Sequence, residues 1–454
     1  MLNTDAEIKN RFQTLIQEKN LFHKEDLLII AVSGGVDSVV LAHLCHQLNY
    51  NIIITHCNFQ LRGSESQRDQ EFVEQLAQQI GVRCEVKIFD TETYIQENKL
   101  SVQEGARELR YEWFHGLADQ YEKETKGKIY ILTAHHADDQ IETLMMHFFR
   151  GTGLKGLTGI PEKNGRIVRP LLRFHKTELL DYAAAMKLSY VEDSSNLSSN
   201  YTRNFFRNQV LPLIEKVYPS VKENLLDNIS RFQSVNDLYE YATKPILKKI
   251  VEKRGEELYI SIGSLFRYKN DALIYDLLSP YGFTESQIAE VIKLKDAASG
   301  SYILAPHANN RLIKHRNHFI VAPPQNNDTH IYNWDKKDNE IEYVGGKLIA
   351  QPFSHKPKIN TIADIALLDA KEILYPLIIR KWKEGDYFYP LGMRKKKKIA
   401  RFMIDQKFSK TQKENTWVLE SQSRIVWVIG HRIDDRFKIT DKTKEVLQIE
   451  RRMD

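Results

Sequence analysis

Four short apolar runs, residues 27–32, 51–55, 82–88 and 129–133, are rich in Ile, Val or Leu and alternate with amphipathic stretches at 38–48, 66–80, 103–120 and 139–150. Runs of this length read as strands and the stretches between them as helices. Nearly continuous apolar strands separated by helices predict a parallel sheet covered on both faces. Ligands bind such sheets beyond the carboxyl ends of the strands, so residues just after each run are the ones to inspect. Residues 211–253 form a long helical pattern with few glycines, read as an arm leading into a second, mainly helical domain that ends in strands near 302–304 and 318–321. Pro323-Pro324-Gln325-Asn326-Asn327-Asp328 has the composition of a linker. Alternating runs at 347–351 and 424–429 predict a small β-containing third domain. The expected α/β chain thus divides into residues 1–215, 216–322 and 330–454.

A chain of 454 residues is too long for one ordinary core, in keeping with this division. No apolar run approaches the roughly 18 residues that cross a bilayer, and the polar first dozen residues lack the apolar centre of a secretory signal. The chain is therefore expected to be cytoplasmic, with no membrane partner. Cys45, Cys57 and Cys84 make no close pair, which suits a reducing compartment and gives no zinc or redox motif. The formal charge of +5 is uneven. Residues 380–454 hold 20 Lys+Arg against 11 Asp+Glu, net +9, and the remainder is net −4. A basic end on a mildly acidic body points to a polyanionic partner.

The first apolar run leads into Ser33-Gly34-Gly35-Val36-Asp37-Ser38. Two glycines let a backbone turn tightly and present N–H groups to an anion, and a helix beginning at about Asp37 adds its positive dipole end. The hydroxyls of Ser33 and Ser38 offer further donors. Asp37 suits Mg2+ bridging phosphates, or the helix start. No Lys follows the glycines, so this is not the loop that handles a γ-phosphate. After the second run comes His56-Cys57-Asn58-Phe59-Gln60-Leu61-Arg62-Gly63-Ser64, a loop suited either to a nucleotide or simply to capping, with Ser66 ahead of a helix. Arg107 and Arg110 lie three apart, on one helical face, where they meet phosphate or solvent. In Thr133-Ala134-His135-His136-Ala137-Asp138-Asp139-Gln140-Ile141-Glu142-Thr143, Asp139 and Glu142 also share a face. They can hold a cationic substrate, take a proton from an amine, or serve as an acidic helix start; His135 with Asp138 is an alternative metal pair.

The Ser-Gly-Gly-x-Asp-Ser string resembles the pyrophosphatase loop of the N-type ATP pyrophosphatases. That string, His56 to Ser64, Ala106-Arg107-Glu108-Leu109-Arg110-Tyr111, the His135–Thr143 segment and Arg150-Gly151-Thr152-Gly153-Leu154-Lys155-Gly156-Leu157 occur in order. Together with Arg169-Pro170-Leu171-Leu172, Glu192-Asp193-Ser194-Ser195-Asn196 and Arg203-Asn204-Phe205-Phe206-Arg207, they resemble the tRNA(Ile)-lysidine synthetases over roughly the first 215 residues. Phe59 departs from the pattern, where many relatives carry a second His.

The resemblance implies a parallel-sheet PP-loop ATPase domain followed by tRNA-binding extensions. It implies ATP, Mg2+ and free lysine as reactants and tRNA(Ile) with a CAU anticodon as substrate, with assembly as a homodimer left open. Ser33, Gly34, Gly35, Val36, Asp37 and Ser38 would bind ATP, with Asp37 on Mg2+. Asp139 and Glu142 would recognise lysine, His135 would sit near the reacting base, and Arg110 and Arg207 around the nucleotide and the activated base. Arg394, Lys395, Lys396, Lys397 and Lys398, too charged to be buried, would hold tRNA phosphates. The rivals are a tRNA thiolase, which would carry reactive cysteines, a small-molecule amide ligase, which would turn over without RNA, and a non-catalytic RNA-binding protein.

Overall fold

The computed structural model describes residues 4–191, 202–306, 308–325, 328–354 and 362–452. The 192–196 segment and Asn326-Asn327 of the expected linker lie outside these described residues. The chain divides into two compact units, Met1–Tyr241 and Ala242–Asp454.

In the first unit the strands are β1 (Leu27–Ala31), β2 (Asn51–Asn58), β3 (Arg83–Ile88), β4 (Ile129–Leu132), β5 (Lys163–Asn164) and β6 (Ile167–Val168). The helices are α1 (Thr4–Glu18), α2 (Val36–Gln47), α3 (Ser64–Ile80), α4 (Thr91–Asn98), α5 (Val102–Tyr121), α6 (Ala137–Arg150), α7 (Leu154–Leu157), α8 (Lys176–Ala185), α9 (Thr202–Phe205) and α10 (Leu211–Glu215), and α11 (Val221–Ile250) begins in this unit and ends in the second. The strands order as β3-β2-β1-β4-β6-β5, parallel except for the β5–β6 pair. Each predicted strand and helix of this region is present, with ends shifted by a few residues; β2 runs on to Asn58.

The sheet is buried on both faces because β1 carries apolar residues on both. Leu28 and Ile30 pack in one core with Val40, Leu41 and Leu44 of α2 and Tyr182 of α8. Leu27 and Ile29 pack in another with Phe114, Leu117 and Tyr121 of α5. Since β1 is flanked by β2 on one side and β4 on the other, the chain reverses direction across the sheet here. A crevice opens at such a switch point, beyond the carboxyl ends of β1 and β4.

The second unit holds a five-stranded antiparallel sheet, with Glu257–Ser261, Arg311–His315 and His318–Ala322 at its centre, packed with helices Asp271–Leu278 and Ile288–Leu294. A separate core, centred on Trp334, Trp427 and Phe437, is built on further antiparallel sheets that include Gly346–Phe353, Leu377–Lys381, Trp417–Ser421 and Arg424–Val428. The middle region thus carries more strand than its periodicity suggested. No described helix is long and apolar enough to cross a membrane.

Candidate active site

The loop after β1 owes its shape to the backbone of Gly34 and the side chain of Ser38. Gly34 has φ +96°, a left-handed conformation that favours glycine, and its carbonyl accepts the Val191 N–H at 2.9 Å. Gly35 has ordinary dihedrals, and a Cβ there would meet only Ser33 Oγ at 3.5 Å. The fold alone therefore does not demand glycine at 35; the empty space suits close approach of an anion to its N–H. Ser38 is spent on the loop itself, its hydroxyl donating to the Gly35 carbonyl at 2.8 Å and accepting the Ser33 N–H at 3.2 Å. Ser38 nonetheless lines the cavity described below.

Asp37 opens α2, and both its oxygens accept from Lys176 Nζ at 2.7 Å. Lys176 begins α8, far away in sequence, and no motif marked it. Magnesium commonly takes one or two carboxylates and completes its shell with substrate phosphates and water. Asp37 meets that need if Lys176 lets go. Among the described residues no group of three His, Cys, Asp or Glu could hold a metal ion by itself.

The loop after β4 starts α6. Asp139 accepts the His136 N–H at 2.9 Å. The side chain of His136 is buried among Asp37, Asp138 and Asp139, at 3.8, 3.6 and 3.6 Å. Burial disfavours its charge, but the three carboxylates outweigh this and raise its pKa. Asp138 thus has His136 at 3.6 Å and His175 at 3.9 Å, where the sequence offered His135 as an alternative metal partner for it. His135 instead meets Thr133 Oγ1 at 2.9 Å through Nδ1. Burial, reinforced by Arg169, Arg203 and Arg107 against the opposing pull of Asp139, lowers its pKa to about 4, so it is neutral at physiological pH. Burial pushes the Asp139 carboxyl up, but His136, His135 and Arg203 hold it below the usual range.

One turn along α6, Glu142 is 2 % exposed and accepts from Arg207 through both oxygens, at 2.5 and 3.1 Å. Arg203 approaches it at 3.5 Å and donates to Thr143 at 3.0 Å. Burial raises the Glu142 pKa and Arg207 opposes it. Arg207 lies on a π-helical turn, Phe206–Val210, between α9 and α10. Such turns often mark functional positions.

A cavity of about 440 Å³ is lined by Ser33, Gly35, Asp37 and Ser38 from the first loop and by His135, Asp139, Arg110 and Arg203. Gly34, Val36, Glu142 and Arg207 are not among its lining residues; Glu142 and Arg207 stand behind it, linked to it through Asp139, which Arg207 approaches at 3.5 Å. Arg110 lies over the ring of Phe59, 5.3 Å from its centroid, and Phe59 in turn stacks on Phe89. The phenyl ring at position 59 therefore supports the arginine. His56 and Asn58 also line the cavity, yet both are tied to the fold, His56 to the Val32 carbonyl at 2.9 Å and Asn58 to Gln70 at 2.9 Å. Arg203 and Lys176 were missed by the sequence reading. Only the nearness of Arg203 to Arg207 in one motif offered a hint.

In the second unit, Arg394, Lys395, Lys396 and Lys398 are exposed beyond the left-handed turn at Gly392, whereas Lys397 is half-buried and paired with Asp405 at 2.8 Å. A cleft of about 1190 Å³ in the same unit is lined by Arg316, Lys381, Lys407, Lys410, Lys413 and the ring of Tyr302, among others.

Three family models match the chain: a PP-loop domain over residues 4–214, the TilS substrate binding domain over 253–324 and the TilS substrate C-terminal domain over 377–450. The tRNA(Ile)-lysidine synthase of Bacteroides thetaiotaomicron is 36 % identical over 443 residues, 97 % of this chain and 99 % of that protein. The enzyme of the same name from Parabacteroides distasonis is 36 % identical over 437 residues, 95 % of this chain and 97 % of its own. Among solved structures, a TilS C-terminal domain aligns with 28 % of this chain and 99 % of its own at 19 % identity and a TM-score of 0.25. The U34-tRNA thiolase NcsA from Methanococcus maripaludis aligns with 50 % of this chain and 79 % of its own at 18 % identity and a TM-score of 0.41. With relatives of this identity matching it from end to end, the chain belongs to the tRNA(Ile)-lysidine synthase family.

Proposed function

We propose that the chain ligates free L-lysine to the 2-position of the wobble cytidine in the CAU anticodon of tRNA(Ile), splitting ATP to AMP and pyrophosphate. The observation that carries this is the meeting, in one cavity, of the loop after β1 with His135 and Asp139 from the loop after β4. The 2-carbonyl oxygen of cytidine attacks the α-phosphate and pyrophosphate leaves. The ε-amine of lysine then attacks C2, and AMP departs with that oxygen, a far better leaving group than the bare carbonyl oxygen. The Gly35 N–H and the N-terminus of α2 face the pyrophosphate. Asp37, once released from Lys176, would hold Mg2+, which would supply charge neutralisation to the leaving pyrophosphate. Neutral His135 hydrogen-bonds the reacting base. Asp139 and, behind it, Glu142 set a negative field for the lysine ammonium, which must lose its proton before it attacks. Arg110 and Arg207 attend the nucleotide and the activated base. The exposed Arg394–Lys398 run and the basic cleft of the second unit hold tRNA phosphates.

The thiolase alternative calls for a reactive thiolate. Burial pushes the Cys57 and Cys84 thiols up to about 12 and about 11, and Cys45 is buried entirely. These are protonated, unreactive thiols at neutral pH. The test is pyrophosphate release with tRNA(Ile), with and without lysine, followed by nucleoside analysis. Lysidine formed only with ATP, lysine and tRNA is expected; thiolated nucleoside, or turnover without RNA, would overturn the assignment.

A further inference from the structure

Four phenylalanines gather at the far end of α6 and on the segment that carries Arg207. Phe149 stacks on Phe206, with ring centroids 5.7 Å apart and planes 19° from parallel. Phe148 stands edge-on to Phe149 at 5.6 Å, and Phe205 edge-on to Phe206 at 6.2 Å. Phe206 packs inward against the small core of Ile141, Met145 and Leu211. The others do not: Phe148 is 63 % exposed, Phe149 67 % and Phe205 43 %. Exposing large rings side by side costs solvation free energy, and contiguous patches of this kind mark interaction sites.

The position of the patch identifies its occupant. Glu142 and Phe149 are seven residues apart on α6, hence on the same face and about 10.5 Å apart along the helix. Stacked bases follow one another at about 3.4 Å, so this is the reach of a few nucleotides. Arg150 is exposed and directly follows Phe149 in the chain, which puts a cation next to the exposed rings along α6, whereas Arg203 and Arg207 are turned to Thr143 and Glu142. Unpaired RNA bases splay onto aromatic side chains while cations meet the backbone. An enzyme working on one base must pull it from its neighbours, which then need a surface to stack on.

Resting on the reading of function above, we propose that the Phe148–Phe149–Phe206–Phe205 array is a stacking surface for the unpaired anticodon bases next to the modified cytidine.

The test uses the full chain and tRNA(Ile) whose anticodon adenosine, adjacent to the wobble cytidine, is replaced by 2-aminopurine. Stacking on wild type should quench the fluorescence. F148A/F149A should lose most of this quench and raise the tRNA KM about tenfold, with ATP and lysine KM within twofold and the unfolding midpoint unchanged, since both rings are exposed. F149W should keep the quench and F149L should lose it. An unchanged quench and KM in F148A/F149A overturns the proposal. So does an F149L protein that behaves as wild type, or wild-type self-association that F148A/F149A abolishes. Pyrophosphate release by wild type reads the function separately: a quench that depends on Phe149 without any turnover would leave the stacking surface standing and overturn the assigned reaction.

Discussion

At the scale of single residues the site rests on a few charged side chains held by partners distant in sequence. Asp37 is clasped by Lys176 at 2.7 Å through both oxygens. On the function proposed above, a Mg2+–nucleotide complex would displace that ammonium and Asp37 would take up the metal. D37A is therefore expected to abolish pyrophosphate release in a tRNA-dependent assay while the protein stays folded; normal release would refute the role. His135 gives a prediction about pH. Its folded pKa of about 4 lies below the unfolded value of about 6.5. Above pH 6.5 neither state binds the proton; as pH falls from 6.5 toward 4 the unfolded state binds it first, and stability is lost across that window. H135Q should lack this contribution, so its unfolding midpoint should fall less than that of wild type between pH 7.5 and pH 5. Equal losses in the two proteins would show that burial does not suppress protonation of His135.

At the scale of elements, α6 organises the chemistry. Its N-terminal turn presents Asp139 to the cavity, its second turn buries Glu142 against Arg207, and its last turn carries Phe148 and Phe149. The three-residue spacing put both carboxylates on one face, as expected, but it did not reveal that Glu142 would be covered by arginines. D139N and E142Q are expected to raise the lysine KM at least tenfold while the ATP KM changes less than threefold, read from steady-state lysidine formation. Asp139 lines the cavity and should show the larger effect; Glu142, which is paired with Arg207 and does not line it, should show the smaller. Unchanged lysine dependence in both variants would remove these carboxylates from substrate recognition.

At the scale of the whole molecule, the chain joins a PP-loop domain to regions matching the TilS substrate binding and TilS substrate C-terminal domains, and its positive charge is concentrated in residues 380–454. Phosphate contacts release counterions, so each should contribute a slope of roughly 0.7–0.9 to the fall of log affinity with log salt. Replacing Lys395, Lys396, Lys397 and Lys398 with Ala is expected to weaken tRNA binding, flatten its salt dependence by about two to three such contacts, and leave ATP affinity alone. Lys397 is engaged with Asp405 and should matter least. Binding like wild type across a salt series would exclude this run as a docking surface.

The sequence alone determined the local and periodic features. A strand such as Leu27–Ala31 is apolar at every position, so only burial on both faces satisfies it, and a parallel sheet follows; the strand order that sets its switch point came from the structure. The loop after it could be read because Gly34 must take φ +96° and a helix must follow, constraints that act within six residues. Tertiary structure decided what depends on distance in space rather than in sequence. Lys176 reaches Asp37 across 139 positions and Arg207 reaches Glu142 across 65. His136 rather than His135 occupies the acidic pocket because the start of α6 turns one ring among three carboxylates and leaves the other beside Thr133. A periodic pattern fixes which face of an element is apolar, but a single ion pair leaves no period behind, and only the packing of the elements brings its two ends together.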